Sequence, residues 1–181
     1  MNTKALVVID LQNDITKNYR DIIDNVNAAI AWAQKNGLTV IYIQHNNVTA
    51  GTRTFKHGTR GAEFVPELNI VFQNVFVKTK SSALTSEEFA AFIQKNKLNE
   101  FFIAGADATA CVKSTCFNLK KKGYAVHVLS DCVTSYDTCK IAEMLAYYES
   151  KGCTVEALAD CGFWKRTNRA AVFKKITDKM F

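Results

Sequence analysis

Short apolar runs alternate along this chain with stretches in which apolar residues return every third or fourth position. Lys4 to Ile9 is almost continuously apolar, the pattern of a strand buried on both faces. Ile22, Val26, Ala29, Ile30 and Ala33 then repeat at helical spacing, which predicts a helix over about 21–36, stopped by Gly37. Thr39 to Gln44 and Val75 to Lys78 read as further strands, separated at 46–74 by a long irregular segment. Thr85 and Glu88 have the spacing of a capping box for a helix carrying Phe89, Phe92 and Ile93. Glu100 to Gly105 is a fourth strand. The helix after it turns Val112, Cys116 and Leu119 inward, carries Lys120, Lys121 and Lys122 at its C-terminal end, and stops at Gly123. Tyr124 to Ser130, a helix with Ile141, Met144, Leu145 and Tyr148 on one stripe, and a short strand near Thr154 complete the order. The expected fold is a single α/β domain spanning 1–181, a parallel sheet of about six strands with helices on both faces.

Ligands of such sheets bind beyond the carboxyl ends of the strands, where the strand order reverses. Three strands end at residues that carry chemistry: Asp10, Lys78 and, one turn after the fourth strand, Cys111. Each has a plainer reading when taken alone: a turn cap, a solvated lysine, a structural thiol. Their coincidence at three carboxyl ends favours a site. A thiolate at Cys111 attacks a carbonyl carbon, Asp10 takes the thiol proton and returns it to a leaving nitrogen, and Lys78 holds the carboxylate. The helix start and Lys78 are expected to favour the thiolate, so that Cys111 alkylates faster than the other five cysteines. Asp10 opposes this, and the two acids are expected to titrate as a pair.

Composition narrows the picture. With 181 residues, 48% of them hydrophobic, the chain can fill one sizeable core. The apolar run before Asp10 is too short for a signal-peptide core or a membrane span, so a cytoplasmic location is expected. The six cysteines include no C-x-x-C pair, which argues against structural zinc. Positions 165–181 carry six cations and one acid, which accounts for five of the six net positive charges. Val172, Phe173, Ile176 and Met180 recur there on one side, so this segment reads as a basic C-terminal helix docking by its apolar stripe. No aromatic residues interleave with its basic ones for base stacking, and nucleic acid is not the expected partner.

The order and spacing of several short motifs resemble the isochorismatase-like cysteine hydrolase superfamily. The carriers are Val8-Ile9-Asp10-Leu11-Gln12-Asn13-Asp14, Gln44-His45-Asn46, Gly58-Thr59-Arg60-Gly61-Ala62-Glu63 with Pro66-Glu67-Leu68, and Lys78 followed by Ser82-Ala83. Gly105 through Cys111-Val112 to Thr115, Gly123-Tyr124-Ala125-Val126 and Ser130-Asp131 complete them. The resemblance implies an Asp10, Lys78, Cys111 triad, a cis peptide at Ala106–Asp107, and an oxyanion hole from the N–H groups of Asp107 and Cys111. Lys80 competes for the lysine role, but the Ser82-Ala83 spacing prefers Lys78.

By the same resemblance, Gln12, Ile15, His45 and Leu84 are expected to face the substrate. Ile15 and Leu84 stand where relatives usually have phenylalanine. The second strand ends in Gln44-His45-Asn46-Asn47 without the aspartate and histidine cluster of nicotinamidases, so no metal and no cofactor are expected. His45 reads equally as a hydrogen-bonded strand-end residue. The implied activity is cleavage of a C–N bond in a small amide, carbamoyl or ureido compound through a thioester, by a homo-oligomer. Vinyl-ether hydrolysis of isochorismate is the enzymatic alternative, and a non-catalytic or redox-responsive thiol protein on the same fold is the alternative of another class.

Overall fold

The structure of the protein is a computed structural model, and it describes residues 3–161. The basic helix expected at 165–181 lies outside the described residues. Six strands form one parallel sheet: β1 (Lys4–Ile9), β2 (Thr39–His45), β3 (Val75–Lys78), β4 (Glu100–Gly105), β5 (Ala125–Val133) and β6 (Thr154–Glu156). Four helices alternate with them: α1 (Ile23–Lys35), α2 (Glu87–Lys95), α3 (Cys111–Lys121) and α4 (Ile141–Ser150).

The strand order β3-β2-β1-β4-β5-β6 explains why β1 is so apolar: it lies in the middle, paired on both sides. Its side chains alternate between two cores. Leu6 and Val8 join Val26, Ile30 and Trp32 of α1 on one face. Ala5, Val7 and Ile9 join Phe89 and Ile93 of α2, Val112, Cys116 and Leu119 of α3, and Tyr148 of α4 on the other. The result is three layers, with α1 on one face and the other three helices opposite.

Two local expectations change. The cap of α2 is Ser86, whose Oγ accepts from the Phe89 N–H at 3.4 Å, while Thr85 Oγ1 donates to the Ser82 carbonyl. Thr85 instead ends a short 3-10 turn (Ala83–Thr85), so its hydroxyl serves that turn. β5 runs three residues further than its apolar pattern suggested, to Val133, across an irregularity in its pairing with β4.

The chain builds β1, β2 and β3 outward to one side, then returns to place β4 on the other side of β1. The carboxyl ends of β1 and β4 therefore flank the point where strand order reverses. Gly105 closes β4 against β1 there. Its φ is +113°, and a Cβ at this position would lie 2.1 Å from the Ile9 carbonyl oxygen, so only glycine fits. Among the described residues no helix is long and apolar enough to cross a membrane.

Candidate active site

Asp10 follows β1 directly and has φ +53°, a left-handed conformation that aspartate tolerates better than most residues. Its N–H still bonds to the Ile43 carbonyl at 3.0 Å, so the turn begins without leaving the sheet. Lys78 is the last residue of edge strand β3. Its neighbour Val77 is exposed, whereas Lys78 is 1% exposed. A buried ammonium needs partners, and Lys78 Nζ has three. It lies 2.8 Å from Asp10 Oδ2, 2.9 Å from His45 Nδ1 and 3.4 Å from Cys111 Sγ. The three donor hydrogens of the ammonium thus match three acceptors. Asp10 Oδ1 is buried and has no hydrogen-bond partner among the described residues.

Cys111 is the first residue of α3, reached through a turn in which the Ala106–Asp107 peptide is cis. The turn is fixed from several sides. The Asp107 carboxylate accepts from Thr109 N, Thr109 Oγ1, Ser135 Oγ and Tyr136 N, all at 2.7–2.9 Å. Tyr148, buried on α4, donates its hydroxyl to the Ala108 carbonyl. The N–H of Ala106 bonds to Ile9, that of Ala108 to Thr134, and those of Ala110 and Val112 to the Asp107 carbonyl. Among the described residues, the N–H groups of Asp107 and Cys111 are left without a protein acceptor.

Charge at the site is governed by burial. Desolvation raises the Asp10 carboxyl above its ordinary value, against the pull of Lys78. The Cys111 thiol is pushed up to about 12, by burial first and by the Asp10 charge second, with Lys78 opposing. This runs against the expectation of a ready thiolate: burial and the Asp10 charge outweigh Lys78 and favour the protonated thiol. His45 is lowered to about 4 by burial and by the Lys78 charge, so its ring is neutral near pH 7.

Of the four side chains expected to face substrate, among the described residues only His45 hydrogen-bonds to this group, and it does so through Lys78. Gln12 is wholly buried and its amide is used up: Nε2 donates to the carbonyls of His45 (2.8 Å) and Ala62 (2.7 Å), and Oε1 accepts from the His45 N–H (2.7 Å). Ile15 packs in the α1-side core beside Leu11 and Tyr19. Leu84 lines a recess with Thr85, Asn118, Lys121 and Lys122. Leu84 and Cys111 both pack against the core on the side of α2, α3 and α4.

The residues that fix the turn before Cys111 were missed in the sequence. Ser135 and Tyr136 directly follow β5, another carboxyl end, and the Asp107-x-Thr109 spacing is that of a side chain folding back on its own turn. Both signals were present. Among the described residues, no group of three or more His, Cys, Asp or Glu is arranged to hold a metal ion.

A buried acid and a buried ammonium thus meet a partly buried thiol at the switch point of a parallel sheet. The Isochorismatase domain model matches residues 4–160, and the chain belongs to that family of hydrolases. A protein of Arabidopsis thaliana described as a probable inactive nicotinamidase is 28% identical over 157 residues, covering 72% of this chain and 80% of the relative. An isochorismatase family protein from Desulfovibrio vulgaris superposes with a TM-score of 0.81 at 20% identity, over 88% of this chain and 96% of the other. N-carbamoylsarcosine amidase from Thermoplasma acidophilum gives 0.76 at 20% identity, over 86% and 96%.

Proposed function

We propose that this chain is a cysteine hydrolase that cleaves a C–N bond of a small amide, carbamoyl or ureido compound through a thioester. The observation that carries the reading is the position of Lys78 Nζ, 2.8 Å from Asp10 Oδ2 and 3.4 Å from Cys111 Sγ in a buried site. Asp10 takes the Cys111 proton as the thiolate attacks the carbonyl carbon, and the vacant Oδ1 is where a proton can sit. The oxygen that becomes negative is held by the two unused N–H groups, of Asp107 and Cys111. Asp10 then protonates the leaving nitrogen, and ammonia or an amine departs. Water attacks the thioester, giving its proton to Asp10, and the acid leaves as the thiol recovers its proton. Lys78 keeps its positive charge throughout, opposite the single negative charge that moves between carboxylate, sulfur and oxygen.

This arrangement supports amide chemistry over vinyl-ether hydrolysis, which has no use for a thiol. The relative described as inactive favours the non-catalytic alternative, whereas the contacts of Lys78 with Asp10 and Cys111 support the catalytic one. The reading includes a cytoplasmic location, supported by six free thiols. It also includes a homo-oligomer, supported by the exposed apolar side chains Ile70, Val71 and Phe72 ahead of edge strand β3.

The test is release of ammonia or amine from a panel of small primary amides, carbamoyl compounds and ureido acids. One or more is expected to turn over, with activity lost in Cys111→Ala and retained in the presence of a chelator. Turnover that survives Cys111→Ala removes the thioester. Activity lost to the chelator and restored by zinc would return the site to metal chemistry.

A further inference from the structure

The third hydrogen of the Lys78 ammonium points to a role for His45 that substrate contact does not explain. The His45 ring lies 2.9 Å from Lys78 through Nδ1. An ammonium can only donate, so Nδ1 carries no proton and accepts from Nζ. The strand around it is locked. Gln12 bonds to both the N–H and the carbonyl of His45, and the same Gln12 amide reaches Ala62. Phe55 packs edge-on against the ring at 5.4 Å and 81°. The ring is thereby held at Nδ1, along its backbone and on one side.

We propose that His45 is a positioning residue that holds the Lys78 ammonium against Cys111 Sγ and Asp10 Oδ2. The proposal rests on the reading of Asp10, Lys78 and Cys111 as the reacting groups, and adds a fourth side chain that acts only through Lys78. Lysine reaches its partners on a flexible four-carbon stem with three rotatable donors, so two acceptors leave its position underdetermined. The contact to Cys111 is the longest of the three and the first to be lost if the ammonium swings. A neutral imidazole fills the third direction without changing the charge of the site. A carboxylate there would add a negative charge beside a thiol that must ionise, and a second cation would repel Lys78.

The experiment compares His45→Leu and His45→Gln with the wild-type protein and Cys111→Ala. Gln offers an acceptor oxygen to Lys78, whereas Leu offers none. Two quantities are read: turnover of the amide the wild type hydrolyses, and the rate at which iodoacetamide labels Cys111, resolved by mass spectrometry. His45→Leu is expected to lower kcat ~10–100-fold, the range seen when an outer support of a reacting group is removed, with KM changed less than about threefold. Labelling of Cys111 is expected to slow about tenfold, because the ammonium that favours the thiolate is no longer held beside it. His45→Gln is expected to recover most of both.

A His45→Leu protein that labels and turns over like wild type overturns the proposal. So does a folded His45→Gln protein as impaired as His45→Leu, which would make the ring a packing element. If His45→Leu does not fold, His45→Phe, which keeps a ring against Phe55, is read in its place. Undiminished turnover in Cys111→Ala would instead overturn the underlying reading, and the labelling rates would still decide whether His45 holds Lys78 at the thiol.

Discussion

Two clusters of acid, cation and histidine cross this sheet, and they differ chiefly in burial. One joins Lys4 on β1, Glu100 on β4, His127 on β5 and Glu156 on β6. Lys4 lies 2.9 Å from Glu100, and His127 lies 3.3 Å from Glu100 and 2.7 Å from Glu156. Its side chains are 19–45% exposed. The other joins Asp10, His45, Lys78 and Cys111, with Lys78 and Asp10 at 0% and 1%. In the first, solvent shares the charge and the pairs contribute little. In the second, removal from water raises the Asp10 carboxyl and the Cys111 thiol, lowers His45, and leaves Asp10 Oδ1 without a partner. Similar residue types give solvent-shared pairing in one place and a desolvated group of acid, cation and thiol in the other, because only the second is withdrawn from water.

The sharpest way to break this contrast is Lys78→Met, which keeps the stem and removes the charge. Loss of one partner from a buried pair costs about 3–5 kcal/mol, since the other is left uncompensated, so Asp10 should take up a proton and cease to be a base. Turnover is expected to fall ~10³-fold or more, combining lost charge stabilisation with a lost proton acceptor. Measured kcat/KM within tenfold of wild type in a folded variant would show that Lys78 is a buried structural pair.

Asp10→Asn separates the two tasks of the carboxylate. The leaving nitrogen loses its proton donor, so turnover should fall ~10²–10⁴-fold. Alkylation of Cys111 should become faster, because the Asp10 charge is the largest contribution, after burial, that holds the thiol protonated. Slower labelling in Asp10→Asn would mean that the carboxylate is needed to ionise the thiol even toward a small reagent, and the shared-proton picture would have to be redrawn.

The strands were legible because β1, β3 and β4 are buried or paired in ways that leave a plain apolar run. Their ends at Ile9, Lys78 and Gly105 agree with the structure. Asp10, Lys78 and Cys111 were legible for the same reason, as polar residues that interrupt those runs at carboxyl ends. The Cys111 protonation state was not. A helix start is visible in sequence, whereas the burial of the thiol and its approach to Asp10 arise only when the ends of β1 and β3 meet α3. Gln12 shows what spacing along the chain does not reveal. It belongs to the motif that carries Asp10, but its amide clamps β2 to the loop at Ala62, a contact across 50 residues. The α2 cap moved from Thr85 to Ser86 by one residue, a shift that two adjacent hydroxyl side chains leave open until the preceding 3-10 turn claims Thr85.

A smaller effect tests the charge of the His45 ring. Its folded value, about 4, lies below the 6.5 of the unfolded chain. As pH falls through this interval the unfolded state binds a proton that the folded state refuses, so the stability this group contributes is present above about 6.5 and lost toward about 4. Over the same interval, Tm of the wild type is expected to fall more steeply than that of His45→Gln, which has no such proton to bind. Parallel curves would place the His45 proton in the folded state too, and the neutral acceptor for Lys78 would be lost.

The smallest effect belongs to the exposed cluster, where Glu156→Gln is the informative change. Gln keeps an oxygen for the His127 ring but removes the charge, so only the ionic part of the contact is altered. That part is screened by solvent at side chains 19% and 23% exposed, and pairs of this kind contribute ~0.2–1 kcal/mol. The ring has other support: it stacks on Phe102 at 4.5 Å and 18°, and it keeps Glu100 at 3.3 Å. Stability by urea unfolding is therefore expected to drop by less than about 1 kcal/mol, with less of a difference at high salt. Turnover should stay as in wild type, because β6 carries none of the reacting groups. A loss of several kcal/mol would show that the outer cluster behaves like a buried one, and that exposure does not separate the two.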